Sequence, residues 1–315
     1  MVDHAPYPIH SEVEQHVHLI RGGNNARFPQ ANCLLIDDDT LTLVDAGADI
    51  RHIEATLRDF GHSLKDIDLI VLTHFHVDHK GHATQLQQVS ECEVICHPLA
   101  ERGVKTFSGL VDCYGIEGHR CYQDWMGLLH ERLPHVMSDY TVTGLIDMNR
   151  TIDLGECVLH PICAPGHTPD HICIGINGYE TIFLTDIDLT RFGPWYGNVV
   201  SDIPQFRESI KNIISLRPRV GISSHLVDPV RDGLELELKR YMAVFDQREK
   251  RIVERLSAGY DTIDALAALP TIYPRLPQGL YIVFEEFMLR KHVEELVRRG
   301  VAYLDGNRIR LVERG

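Results

Sequence analysis

The chain reads as a mixed α/β sandwich followed by a mostly helical C-terminal module. Three observations predict this. Short apolar runs rich in β-branched residues come first and then alternate with helical spacing, the pattern of sheets covered by helices. Five of these runs end in polar residues of metal-binding type. From about Leu234 the texture changes to long amphipathic helices, and the charge changes with it. Residues 1–234 carry 17 Lys and Arg against 32 Asp and Glu, whereas the remainder carries 14 against 13. The expected organisation is a larger unit over 1–233 and a smaller one over 234–315.

Taken in order, 13–22 and 32–37 read as strands and 41–45 as another, ending at Asp45. Residues 51–60 have helical spacing, with Ile53, Leu57 and Phe60 on one face and Gly61 as a stop. A strand from Ile67 to Leu72 follows, then a short helix from Gly81 to Val89 and a strand at 93–96. Residues 98–150 carry aromatics (Phe107, Tyr114, Tyr122, Trp125, Tyr140) and a helix around 124–132. So long a stretch between core strands reads as an insertion that overhangs a site. Strands resume at 151–153 and 157–163. A hairpin of 172–176 and 180–184 is joined by Asn177-Gly178, a strong turn signal. A helix over 204–216 turns Phe206, Ile210, Ile213 and Ile214 inward, and 219–222 is the last strand of this unit. The tail has helices at 234–257, 262–268 and 278–299, then two strands around Asp305-Gly306-Asn307.

A net charge of −14 disfavours a nucleic-acid backbone as the main partner, since phosphate binding needs basic patches. No run approaches the 18 or so apolar residues of a membrane span. The N-terminus lacks a charged-then-apolar leader pattern, and the eight cysteines form no C-x-x-C pair. A cytoplasmic protein with reduced thiols is expected.

The chemistry concentrates in residues 67–82, IDLIVLTHFHVDHKGH. An apolar strand runs into Thr73 and then His74, His76, Asp78 and His79 within six positions. Two imidazoles at i and i+2, then a carboxylate and an imidazole side by side, can serve two ions at once. These are ligand types that borderline divalent metals accept. His167, Asp186 and His225 each follow a later strand. With Asp45 in front, the order and strand-end placement resemble the five signature motifs of the metallo-β-lactamase superfamily, including H-x-H-x-D-H with every position filled. The resemblance covers roughly residues 12–230.

That resemblance implies an αββα sandwich with metals at one edge. His74, His76 and His167 would hold one ion, and Asp78, His79 and His225 the other. Asp186 would bridge them, and Asp45 would hydrogen-bond a ligand imidazole to fix its tautomer. The ions would be zinc, with iron or manganese also accepted by this ligand set. A hydroxide between them would attack a carbonyl carbon or phosphorus, with Asp78 orienting it as well as ligating. Two departures stand out: Thr185 where the family usually has Gly before its bridging Asp, and Ser223-Ser224 where Pro-Gly precedes the last His. His82 and His171 lie near ligands without filling a signature position, and His119, His130 and His135 are expected to be exposed. Trp195 and Tyr196 are candidates for lining the pocket.

The tail resembles the winged-helix domain appended to some superfamily hydrolases, including glyoxalase-like thioesterases and an endoribonuclease branch. Its expected recognition helix, 284–299, mixes Glu285, Glu286, Glu294 and Glu295 with basic residues, so nucleic-acid binding is not expected. Shaping the pocket mouth or a homodimer interface is the expected role. Three functions remain: hydrolysis of a small thioester, ester or lactone; phosphodiester or RNA cleavage; and a non-catalytic metal-binding sensor. The full ligand set favours the enzymes, and the acidic core favours a small-molecule substrate.

Overall fold

The computed structural model of the chain describes residues 7–276 and 279–312. The expected start of the last helix at 278 and the two chain ends lie outside these residues.

Two sheets face each other. The first is built from β1 (His10–Glu14), β2 (Val17–Ile20), β3 (Cys33–Ile36), β4 (Thr42–Val44), β5 (Leu69–Leu72), β6 (Glu93–Cys96) and β7 (Gly144–Leu145), ordered as in the chain. Pairing is antiparallel through β4 and parallel from β4 to β7. The second holds β8 (Ile152–Asp153), β9 (Val158–Cys163), β10 (Ile172–Ile176), β11 (Thr181–Thr185) and β12 (Val220–Ser223). Its hairpins are antiparallel, and β12 joins β11 in parallel.

Side-chain alternation explains why these strands read as unbroken apolar runs. Leu34, Ile36, Leu69 and Val71 share one buried cluster with Ile172, Ile174, Phe183 and Ile222 from the opposite sheet. The intervening Leu35, Ile70 and Leu72 belong instead to the cluster that includes Ile53, Leu57 and Leu86 of the covering helices. Strands buried on both faces lose the polar alternation of a half-exposed sheet. The αββα arrangement follows.

Two expectations change in detail. Residues 13–22 form two strands rather than one, because His16 adopts φ 64° and turns the chain between β1 and β2. The 98–150 stretch is helical at Glu101–Lys105, Phe107–Tyr114 and Tyr122–Arg132, and its end supplies the edge strand β7.

In the tail, helices Leu234–Ser257, Ile263–Ala267 and Tyr281–Arg298 precede the hairpin of β13 (Ala302–Asp305) and β14 (Arg308–Leu311). Their apolar faces join the same cluster as the helix Ile203–Ser215, through Leu238, Phe245, Met288 and Leu296. The helix Tyr281–Arg298 buries Val283, Phe284, Met288, Leu289 and His292 rather than offering that face to solvent. No helix among the described residues is long and apolar enough to cross a membrane.

Candidate metal centre

The strand ends converge at one edge of the sandwich. β4 ends at Asp45, β5 leads into His74–His79, β9 leads to His167, β11 to Asp186 and β12 to His225. Two groups of ligand atoms result: His74, His76, His167 and Asp186, and beside them Asp78, His79 and His225. His74 Nε2 lies 3.1 Å from His76 Nδ1, which lies 2.9 Å from His167 Nε2. Asp186 faces both groups, 3.1 Å from His167 Nε2 and 3.0 Å from His79 Nε2.

Outer partners set the proton positions. Asp45 accepts from the Thr73 amide and hydroxyl and from His79 Nδ1, each at 2.8 Å. The Thr73 hydroxyl proton goes to that carboxylate, so its oxygen accepts from His74 Nδ1 at 3.1 Å. His167 Nδ1 donates to the Trp195 carbonyl at 2.8 Å, and His225 Nδ1 to the Ala26 carbonyl at 2.7 Å. Each of these four rings therefore presents a bare Nε2 to the centre.

The fit to a cation shows in what is left unsatisfied. His79 Nε2 and Asp186 Oδ1 are buried without a hydrogen-bond partner although only 3.0 Å apart. Both carry lone pairs, and a buried pair of acceptors at that distance needs positive charge between them. Electrostatics agree. Burial pulls the His79 imidazole down, but the Asp186 and Asp45 carboxylates outweigh it and hold its pKa well above the usual range. Burial likewise opposes protonation of His225, yet Asp186, Asp78 and Asp188 raise it to about 9. His74 and His76 are pushed well below the ordinary value by burial and by neighbouring imidazoles. Neutral imidazoles next to sites that demand a cation are what a divalent metal requires. The two clusters fit a dinuclear metal site.

Above the centre opens a cavity of about 590 Å³. Its floor includes His76, Asp78, His167, Asp186 and His225, and its walls are mainly aromatic, among them Tyr114, Trp125, Phe192, Trp195, Tyr273 and Phe284.

A family model described as the metallo-beta-lactamase superfamily matches residues 26–225. The chain belongs to that superfamily. It is 27% identical over 237 residues to a metallo-beta-lactamase fold-containing protein of Sulfurisphaera tokodaii, covering 68% of this chain and 80% of the relative. A beta-lactamase-like protein 2 homolog of Drosophila melanogaster is 22% identical over 266 residues, covering 82% and 78%. Among solved structures, a metallo-beta-lactamase family protein from Thermus thermophilus superposes with TM-score 0.71 at 19% identity, over 96% of this chain and all of that one. A beta-lactamase domain protein from Burkholderia ambifaria gives 0.73 at 17% identity, over 99% and 97%. At that identity the likeness speaks for the fold alone.

The superfamily departures have local explanations. Thr185 sits at φ 51°, the left-handed region that favours glycine. Its hydroxyl lies 2.5 Å from His171 Nε2 and 3.0 Å from the Ile172 carbonyl, which offsets the strain. Ser223 Oγ donates to the Asp188 carbonyl at 2.6 Å and accepts from the His225 amide at 3.0 Å, bracing the loop without Pro-Gly.

Several expectations about flanking residues need correction. Tyr196 does not line the cavity: it is fully buried, its hydroxyl on His292 and Arg248, while Trp195 beside it faces the centre. His135 is half-buried against His82, ring centroids 4.2 Å apart, rather than exposed. His119 is half-buried on Glu286 at 3.2 Å; His130 is exposed as expected. His171 does more than lie nearby: its Nδ1 donates to the Ala164 carbonyl, so its Nε2 accepts the Asp186 amide at 3.1 Å and orients that residue. Asp170 accepts from the Phe75 amide at 2.9 Å and pins the H-x-H loop. Asn198 meets His76 Nε2 at 3.0 Å. No spacing rule singles out these last three.

Proposed function

We propose that this protein is a dinuclear-metal-dependent hydrolase acting on a small thioester, ester or lactone. The observation that carries the reading is the unpartnered pair His79 Nε2 and Asp186 Oδ1 beneath an aromatic cavity. His74, His76 and His167 would hold one ion, Asp78, His79 and His225 the other, and Asp186 would serve both. When bound, the ions supply a water that ionises near neutral pH and a Lewis acid for the scissile carbonyl. Zinc suits this ligand set best, and iron or manganese are accepted by the same groups.

The chain's own groups do the rest. Asp78, facing the cavity 3.6 Å from His225 Nε2, orients the attacking water. Asp45 keeps His79 in its ligating tautomer. The walls exclude bulk water and pack the acyl portion of the substrate. The tail, supplying Tyr273, Leu280, Tyr281 and Phe284, closes one side of the pocket as part of it. A role in reading nucleic acid does not suit a helix whose middle is buried.

The test is turnover by the metal-loaded chain on acyl-CoA and glutathione thioesters, lactones and bis(p-nitrophenyl) phosphate. Saturable cleavage of at least one acyl class, lost on chelation, is expected. Preferential cleavage of the phosphodiester would favour the second reading, phosphodiester hydrolysis. That alternative has one specific support: Arg27 and Arg191 line the cavity and, among the described residues, make no side-chain hydrogen bond or ion pair.

A further inference from the structure

Four of the five ligand histidines have their outer nitrogen on a group whose direction is fixed: the Thr73–Asp45 pair, Asp45 itself, and the Trp195 and Ala26 carbonyls. His76 is the exception twice over. It turns Nδ1 rather than Nε2 to the centre, and its outer nitrogen meets a side-chain amide, that of fully buried Asn198.

The amide nitrogen of Asn198 lies 3.0 Å from His76 Nε2, and its oxygen lies 3.0 Å from Ser201 Oγ. A half-turn of the amide exchanges those two atoms and moves nothing else. Metal binding decides between the orientations, because an imidazole that ligates through Nδ1 carries its proton on Nε2 and needs an acceptor facing that atom. Ser201 Oγ lies within donating distance of the His167 carbonyl, at 2.7 Å, and of the Asn198 amide, at 3.0 Å. With the amide oxygen toward Ser201, the one hydroxyl proton serves either that oxygen or the carbonyl, and the amide nitrogen donates to His76 Nε2. His76 would then accept at Nε2, carry its proton on Nδ1, and be unable to ligate. With the amide turned, its nitrogen donates to Ser201 Oγ and its oxygen accepts from His76 Nε2–H. His76 Nδ1 is then bare beside the bare Nε2 atoms of His74 and His167, 3.1 and 2.9 Å away.

We infer that Asn198, anchored by Ser201, is the positioning residue that holds His76 in the tautomer able to bind metal through Nδ1. The inference rests on the metal-centre reading above. The segment that carries Asn198 is itself clamped from the tail. Arg248 donates to the Phe192 carbonyl at 2.5 Å and to the Pro194 carbonyl, and Lys291 donates to the Val199 carbonyl at 2.8 Å. One loop therefore orients two ligands of one ion, His167 through the Trp195 carbonyl and His76 through Asn198. Two C-terminal helices fix that loop.

The test uses the full-length chain loaded with zinc or cobalt(II). Asn198→Leu removes the acceptor at similar size, and Asn198→Asp restores one. The leucine variant should bind the ion at His74, His76 and His167 about 10- to 100-fold more weakly and show an altered cobalt(II) visible spectrum. The aspartate variant should stay within a few-fold of wild type. Equal affinity and an unchanged spectrum in the leucine variant would overturn the inference. Should that variant not fold, long-range ¹H–¹⁵N spectra of the zinc-loaded wild type decide alone: His76 must show a slowly exchanging Nε2–H, and a proton on Nδ1 overturns the inference. A wild-type chain that binds no metal would remove the functional reading as well. A two-zinc chain with His76 ligating through Nε2 would remove only the role of Asn198.

Discussion

The floor and the wall of the cavity are built on opposite plans. Every floor ligand lies in the segment that follows a β-strand, and each of the five imidazoles has its outer nitrogen tied to backbone or to a buried polar side chain. The wall is assembled chiefly from three stretches far apart in the chain, the helices around Tyr114 and Trp125, the loop with Phe192 and Trp195, and the tail with Tyr273 and Phe284, with Arg27 and Phe28 adding to it. Its joints are buried charges. Fully buried Glu285 accepts from the amides of Thr271, Ile272 and Tyr273, at 3.2, 2.8 and 2.9 Å. Arg248, also buried, caps the carbonyls of the 192–194 turn and stacks on the Phe192 ring 4.7 Å away. The floor can therefore fix one chemistry while the wall varies what fits above it, since rigid elements hold reacting groups and adjustable segments hold the substrate.

Breaking the floor should have the largest effect. His76→Ala removes the ring on which His74 and His167 converge. Turnover should fall below detection with the circular-dichroism spectrum unchanged, and metal content should drop from close to two ions per chain. Unchanged turnover would refute the proposed mechanism. Stripping the metals is the next largest break. An ion present at a thousand times its dissociation constant stabilises the folded state by about 4 kcal/mol. Chelation should thus abolish turnover and lower the melting temperature by roughly 10 °C for a chain of this size, and added zinc should restore both. A melting temperature indifferent to chelator would mean that the floor holds no tightly bound metal.

The same division explains what was legible in the sequence. Metal chemistry restricts a position to a few residue types, and strands buried on both faces are unbroken apolar runs. A mixed α/β sandwich and the candidate ligands at its strand ends could therefore be read from order and spacing. The αββα arrangement and the roles of Asp45 and the seven candidates came with the resemblance to the superfamily. Trp195 and Tyr196 could not be told apart, because neighbouring side chains can take opposite sides of the chain and sequence does not say which faces the cavity. Glu285 and Glu286 read as acidic decoration on a helix, yet both are buried, one on three amides and the other on His119 and Arg120. Asn198 carries no signal at all. Its role depends on a hydrogen bond made 122 positions away in the chain, and that contact exists only once the sheets have packed.

Breaking the wall at its joints should cost stability before chemistry. Arg248→Met leaves the Phe192 and Pro194 carbonyls buried without a donor, and each unsatisfied group costs about 1–3 kcal/mol. A loss of roughly 3 kcal/mol in urea unfolding is expected, with metal content kept near two ions if the floor is independent of this joint. Loss of one ion together with stability would instead show that the Arg248-clamped loop governs the metal ligands, the coupling that Asn198 and the Trp195 carbonyl provide.

The smallest effect, and the sharpest separation of floor from wall, should come from Phe284→Ala. Its ring lies 5.4 Å from Trp195, lines the cavity and belongs to the tail, and among the described residues it pairs with the Trp195 and Tyr281 rings rather than with a ligand imidazole. Truncating it removes apolar contact worth about 1–3 kcal/mol to a well-fitted acyl group. KM for the best acyl substrate should therefore rise around 10-fold while kcat and metal content stay close to wild type. The effect should shrink as the acyl chain is shortened, because a short chain never reaches that part of the wall. A fall in kcat that is the same for every chain length would place Phe284 on the floor side of the division, acting through Trp195 on the His167 ring that its carbonyl holds.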